Sequence, residues 1–179
     1  MTESEDLRQQ LKAALKSRAM LYASLLDELT AEVGAAKAEA IMTRAIHARG
    51  AAAGNRFFSS HAPADFEGLR HRFIDFLPDH GRLFDLETLR CDDDGLDLKF
   101  HSCPIKEAWQ EAGFAPQTMQ VLCRIAGSVD VGTFEGAGFA IRNETWQVGG
   151  DGCCLLKIRR KAPRPAESAG CDTTVPGDR

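Results

Sequence analysis

The apolar residues of this chain change their spacing three times, and that alternation restricts the folds open to it more than any single motif does. From residue 4 to about 77 they recur at helical intervals. From Leu83 they alternate with polar residues, as on a half-buried strand. Helical spacing returns at Pro104, and alternation returns at Phe139. The strands therefore come as two hairpins with a helical pair between them. Hairpins build antiparallel sheets, whereas a parallel sheet needs a crossover between successive strands. The expected fold is α+β: N-terminal helices packed on an antiparallel sheet of about four strands.

The spacing predicts a first helix over 4–28, carried by Leu7, Leu11, Leu15, Leu25 and Leu26. Thr30 is the expected cap of a second helix running to about Gly54, with Gly50 tolerated at a propensity cost. A third, over 64–76, places Phe66, Leu69, Phe73 and Phe76 on one face. Core packing is the default reading of that face, and the lining of an apolar ligand cavity is the other. Strands are expected over 83–91 and 96–102, around the turn Asp92-Asp93-Asp94-Gly95. Helices follow over 104–112 and from Pro116. Asp130 shares a face with Cys123 if the second of these continues through Gly127. The last strands span 139–148 and 153–160, and alternation points Cys154 to the core and Cys153 away from it. One domain covers 1–161, with a helical part 4–77 and a sheet and site part 83–160. Residues 162–179, rich in Pro, Gly and charge, are expected to be a disordered tail.

Composition narrows the function classes. The net charge is -4 and no basic stripe is present, which argues against nucleic acid as a partner. No apolar run approaches the ~20 residues of a membrane span. The acidic start, Met1-Thr2-Glu3-Ser4-Glu5-Asp6, lacks the features of a secretion signal, so a cytoplasmic location is expected. Thiols stay reduced there, and the six cysteines are then read as packing, metal ligands or chemistry. The expected partner is a small-molecule substrate; the oligomeric state is left open.

Cys103-Pro104 is the sharpest local feature. Proline suits the first position of a helix, which makes Cys103 its N-cap. A thiol there faces unpaired N–H groups and the positive end of the helix dipole, which favour the thiolate. His101 lies two residues earlier and is expected on the same face, placed to move a proton. Cys123 and Cys154 fall on core faces and read either as packing or as pocket lining. Asp130, on an otherwise apolar face, is either a partner for a donor or a base. No cofactor is expected. A metal held by Cys103, Cys123 and Cys154 is the lesser alternative, since paired C-x-x-C spacing is lacking.

Cys103-Pro104 followed by Trp109, then Cys123 and Asp130, then Gly150-Asp151-x-x-Cys154, form an ordered set. In this it resembles the L-2-amino-thiazoline-4-carboxylic acid hydrolase family, over about the C-terminal third of the chain. Whether Cys153 or Cys154 is the matching cysteine stays open. The resemblance implies a hydrolase that opens a small cyclic amidine, such as L-2-amino-thiazoline-4-carboxylate, to N-carbamoyl-L-cysteine. Catalysis would fall to Cys103, His101 and Asp130. Trp109, Cys123 and Cys154 would bind substrate. The alternative is a non-catalytic small-molecule or metal-binding module built on the same cysteine-lined pocket.

Overall fold

A computed structural model describes residues 3–162. The expected tail lies almost wholly outside the described residues. The described residues include five α-helices: α1 Glu3–Val33, α2 Ala35–Phe57, α3 Phe66–Phe76, α4 Pro104–Glu111 and α5 Pro116–Gly136. Four strands, β1 Leu86–Asp92, β2 Gly95–Phe100, β3 Phe139–Glu144 and β4 Leu155–Arg160, form one antiparallel sheet in the order β1-β2-β4-β3. The architecture is α+β, as the alternating periods require. No helix among the described residues is long and apolar enough to cross a membrane.

The first boundary differs from expectation. Thr30 sits inside α1 rather than capping α2, and its carbonyl accepts the Gly34 N–H at 3.0 Å. The chain turns at Gly34, whose φ of 81° suits glycine at a helix end. A bent 3-10 segment, Pro78–Phe84, stands where the first strand was expected to begin. Asp79 within it is held by the Arg8 guanidinium at 2.6 Å, tying the segment to α1.

Leu96, Leu98, Leu156 and Ile158 are fully buried and form the inner face of the central strands. Asp97, on the outer face, pairs with Arg159. Against the inner face lie α3 and α5; the Phe73–Phe134 ring contact at 5.0 Å joins the two helices, and Phe66–Phe139 at 5.6 Å joins α3 to β3. Trp109 of α4 is buried and its Nε1 donates to the Ala19 carbonyl at 2.9 Å, which fastens α4 to α1.

Helices α2 and α5 run parallel and approach each other backbone to backbone. Gly50-Ala51-Ala52-Ala53-Gly54 faces Gly132-Thr133-Phe134-Glu135-Gly136. A Cβ on Gly50 would stand 2.1 Å from the Val129 carbonyl oxygen, and one on Gly132 would stand 2.1 Å from that of His47. These glycines permit backbone-to-backbone contact that no other residue allows. Gly50, expected only to be tolerated, is required.

Gly50→Ala should therefore destabilise the fold by more than about 2 kcal/mol, as an overpacked core does, although alanine is the better helix former. Urea unfolding measures this. A change below about 0.5 kcal/mol would mean that the two helices have room to separate.

Candidate functional site

A cavity of about 380 Å³ lies between α5, the N-terminal ends of α4 and β4, and the bent segment before β1. Helix α5 forms one wall, with Cys123, Ala126, Asp130 and Thr133 at helical spacing along it. The site is therefore built on a helix whose position α2 fixes from behind.

Four of the five described cysteines line this space: Cys103, Cys123, Cys153 and Cys154. Cys91 lies apart, its thiol donating to a Glu67 carboxylate oxygen at 3.1 Å. All five are free thiols. Cys103 is the N-cap of α4, as Pro104 predicts, and the Ile105 and Lys106 N–H groups favour its thiolate. Those donors do not decide the outcome. Cys103 and Cys153 sit side by side, and the Cys153 thiol also donates to the His101 carbonyl at 4.0 Å. Next to Cys153, and buried, the Cys103 thiol is pushed well above its ordinary range. Cys153 moves down, because the Cys103 thiol donates to it and because Lys106 is near. Of the two, Cys153, not the expected Cys103, is the thiol whose ionisation these neighbours favour. Burial pushes Cys123 up to about 12 and also pushes Cys154 upward.

Cys153 and Cys154 both reach the cavity, which strand alternation forbids. The cause is local: β4 starts only at Leu155, and Gly152 bends the chain with a φ of 69°. Five contacts hold this loop. Lys106 Nζ donates to the Gly152 carbonyl at 2.6 Å and lies 5.4 Å from the centre of the Trp146 ring. Trp146 Nε1 donates to the Gly150 carbonyl at 2.8 Å. The Cys153 N–H donates to the Phe100 carbonyl at 3.0 Å, and the Phe100 N–H to the Cys154 carbonyl at 2.9 Å.

Asp130 is the anomaly of the site. It is half-buried, lines the cavity, and makes no hydrogen bond or salt bridge among the described residues. Burial raises its carboxyl to about 7, against a smaller opposing pull from Arg18. A carboxyl that titrates near neutrality is suited to moving protons. Arg18 of α1 and Arg49 of α2 also border the cavity, and neither has a salt-bridge partner among the described residues.

His101 is not part of this site. Strand β2 ends at Phe100, so the alternation that placed His101 beside Cys103 does not extend to it. Its side chain is exposed, and Nε2 lies 2.7 Å from a Glu87 carboxylate oxygen. The proposed catalytic histidine is thereby corrected to a surface residue paired with Glu87. Cys103, Asp130, Trp109, Cys123 and Cys154 do converge on the cavity. No three His, Cys, Asp or Glu side chains among the described residues, Cys103, Cys123 and Cys154 included, are placed to hold a metal ion. The sequence reading missed Arg18, Arg49, Lys106 and Trp146. Arg18 and Arg49 each stand three residues after an apolar position, Leu15 and Ile46, and so border a buried stripe. That placement was a usable signal. The α3 phenylalanines divide between both readings: Phe73 and Phe76 line the cavity, whereas Phe66 packs against Phe139.

The model of the L-2-amino-thiazoline-4-carboxylic acid hydrolase family matches residues 13–158. No curated protein matches the chain. Among solved structures, a trafficking protein particle complex subunit 3 from Naegleria fowleri, covalently bound to palmitic acid, is similar at 15% identity. It has a TM-score of 0.50, with 84% of this chain and 97% of that one covered. The phenol-responsive sensory domain of the transcription activator PoxR, solved with phenol, gives 14% identity and a TM-score of 0.48, with coverage of 79% and 73%. At such identities the likeness to the trafficking subunit shows the fold alone.

Asp130 makes a pH-dependent prediction. Its folded carboxyl holds a proton up to about pH 7, whereas an unfolded one loses it near 4. The native state binds more protons between these values, so this group's contribution to stability falls as pH rises from 4 to 7. Above 7 the cost is complete, at most about 4 kcal/mol. Asp130→Asn should therefore be more stable than the parent at pH 8, with the gain shrinking toward pH 5. Thermal melts of both proteins across that range provide the check; a gain that does not depend on pH would contradict the assignment.

Proposed function

The chain belongs to the L-2-amino-thiazoline-4-carboxylic acid hydrolase family, and from that premise we infer that the cavity opens a cyclic amidine carboxylate by cleaving its ring C–S bond. The observation that carries this reading is the unpartnered Asp130 facing the same cavity as the Cys103–Cys153 pair. A cyclic amidine carboxylate is a zwitterion. Its amidinium has a complement in the Asp130 carboxylate, and its carboxylate has one in Arg18 and Arg49, which are otherwise unpaired.

In residue terms, the Cys153 thiolate adds to the ring carbon between nitrogen and sulfur. The bond from that carbon to the ring sulfur breaks, and the departing sulfur takes the proton of Cys103. A water molecule then gives its proton to Asp130 and adds to the same carbon. As the carbonyl forms, the hydroxyl proton of the adduct leaves to solvent, the bond to Cys153 breaks and the thiolate is restored. The proton on Asp130 returns through solvent to Cys103. With the substrate entering as the amidinium, the net change is one water consumed and one carbamoylated thiol amino acid and one proton released. With L-2-amino-thiazoline-4-carboxylate the product is N-carbamoyl-L-cysteine. Trp109 walls the pocket, and Cys123 and Cys154, with thiols raised by burial, remain protonated lining.

The second reading, a binding module without turnover, is favoured by the largely apolar lining of the cavity. Turnover separates the two. Purified protein should hydrolyse the amidine, with kcat/KM rising to a plateau above about pH 7 as Asp130 loses its proton. Cys153→Ser should lower kcat at least ~100-fold, since a hydroxyl is the poorer nucleophile. Cys103→Ser should cost less, because serine keeps both the proton donor and the N-cap. Full activity in Cys153→Ser would remove the thiolate from the mechanism and leave water activated by Asp130.

A further inference from the structure

The geometry points to a substrate larger than a bare ring acid: a carboxylate-bearing molecule with an apolar arm of about eight to twelve carbons, or an aromatic group of that length, lying on Phe73, Phe76, Leu77, Phe84 and Phe100. The inference deepens the reading of this cavity as a substrate site and rests on it for the reacting end only.

Three observations carry it. The first is size. A five-membered ring with one carboxylate and one amino group has about nine non-hydrogen atoms and fills well under half of a cavity of about 380 Å³. The second is length. The α5 wall runs from Cys123 to Thr133, and ten residues of helix rise about 15 Å. The space is also bounded by aromatic and aliphatic side chains of α3, the bent segment and β2. These side chains offer an amidine nothing to bind, but they offer apolar surface to an arm. The third is charge. Arg18 and Arg49 lie at the border of the cavity, exposed and without salt-bridge partners among the described residues; Arg18 acts on Asp130 only weakly against the burial that keeps that carboxyl protonated up to about pH 7, so a further anionic group complements the pair. An arm with a carboxylate satisfies all three; a neutral apolar ligand leaves the arginines unused.

The two tryptophans of the chain, Trp109 and Trp146, both line the cavity and report occupancy by fluorescence. Straight-chain carboxylic acids from butanoic to dodecanoic should bind with affinity rising about three- to four-fold per methylene, then levelling where the channel ends. Arg49→Gln, at an exposed position, should weaken the acids about ten-fold and leave the matching alcohols unchanged. An affinity that does not depend on chain length overturns the arm, and an equal effect of Arg49→Gln on acids and alcohols overturns the carboxylate anchor. Turnover of L-2-amino-thiazoline-4-carboxylate and of N-alkyl derivatives is measured alongside. Efficient turnover of the bare ring acid with flat chain-length dependence would sink the arm and keep the hydrolase reading. Rising chain affinity with no turnover of any amidine would do the reverse.

Discussion

The contact between α2 and α5 is the constraint on which the remainder of the molecule depends. Two glycine pairs, Gly50 with Gly54 and Gly132 with Gly136, let the helices touch backbone to backbone. Polar contacts flank the seam: Arg124 grips Glu39 through Nε and Nη2 at 2.9 and 3.1 Å, and His47 reaches Glu135 at 2.8 Å. Ser128 is buried between them, its hydroxyl shared between the Thr43 and Ile125 carbonyls. A helix held so closely on one side is free to leave its opposite side incompletely filled. That opposite side is the wall bearing Cys123 and Asp130.

The cavity wall keeps groups that packing alone would not select. An unpartnered carboxyl in a buried setting costs stability whenever it is ionised, and removing it would strengthen the fold. Four thiols in one space do little that alanine or valine would not do for packing, but a thiol pair in which the ionisation of one member is favoured sets a nucleophile beside a proton donor. Such retained costs are expected where chemistry, not stability, sets the side chain. Lys106 links the parts. It stabilises charge on Cys153 and, through the Gly152 carbonyl and the Trp146 ring, holds the loop that presents Cys153 and Cys154.

Local sequence determined the fold class, the kinds of elements and most of their order, because hydrophobic period is a property of neighbours in the chain. It determined that Cys103 caps α4, since proline at the first helical position acts within one turn. It also placed Cys123 and Asp130 on one face of α5, since their separation fixes the angle between them. Tertiary structure decided the rest. Where the last strand begins depends on pairing with Phe100, so the orientation of both Cys153 and Cys154 was beyond alternation. Whether His101 joins Cys103 depended on where β2 ends and on Glu87, fourteen residues away. Which cysteine ionises the more readily depended on a neighbour fifty residues along the chain, because a thiol titrates against what lies next to it in space. The glycines of α2 and α5 make the same point. Each reads as a weak spot within its own helix, and only the facing backbone, brought there by the fold, makes it indispensable.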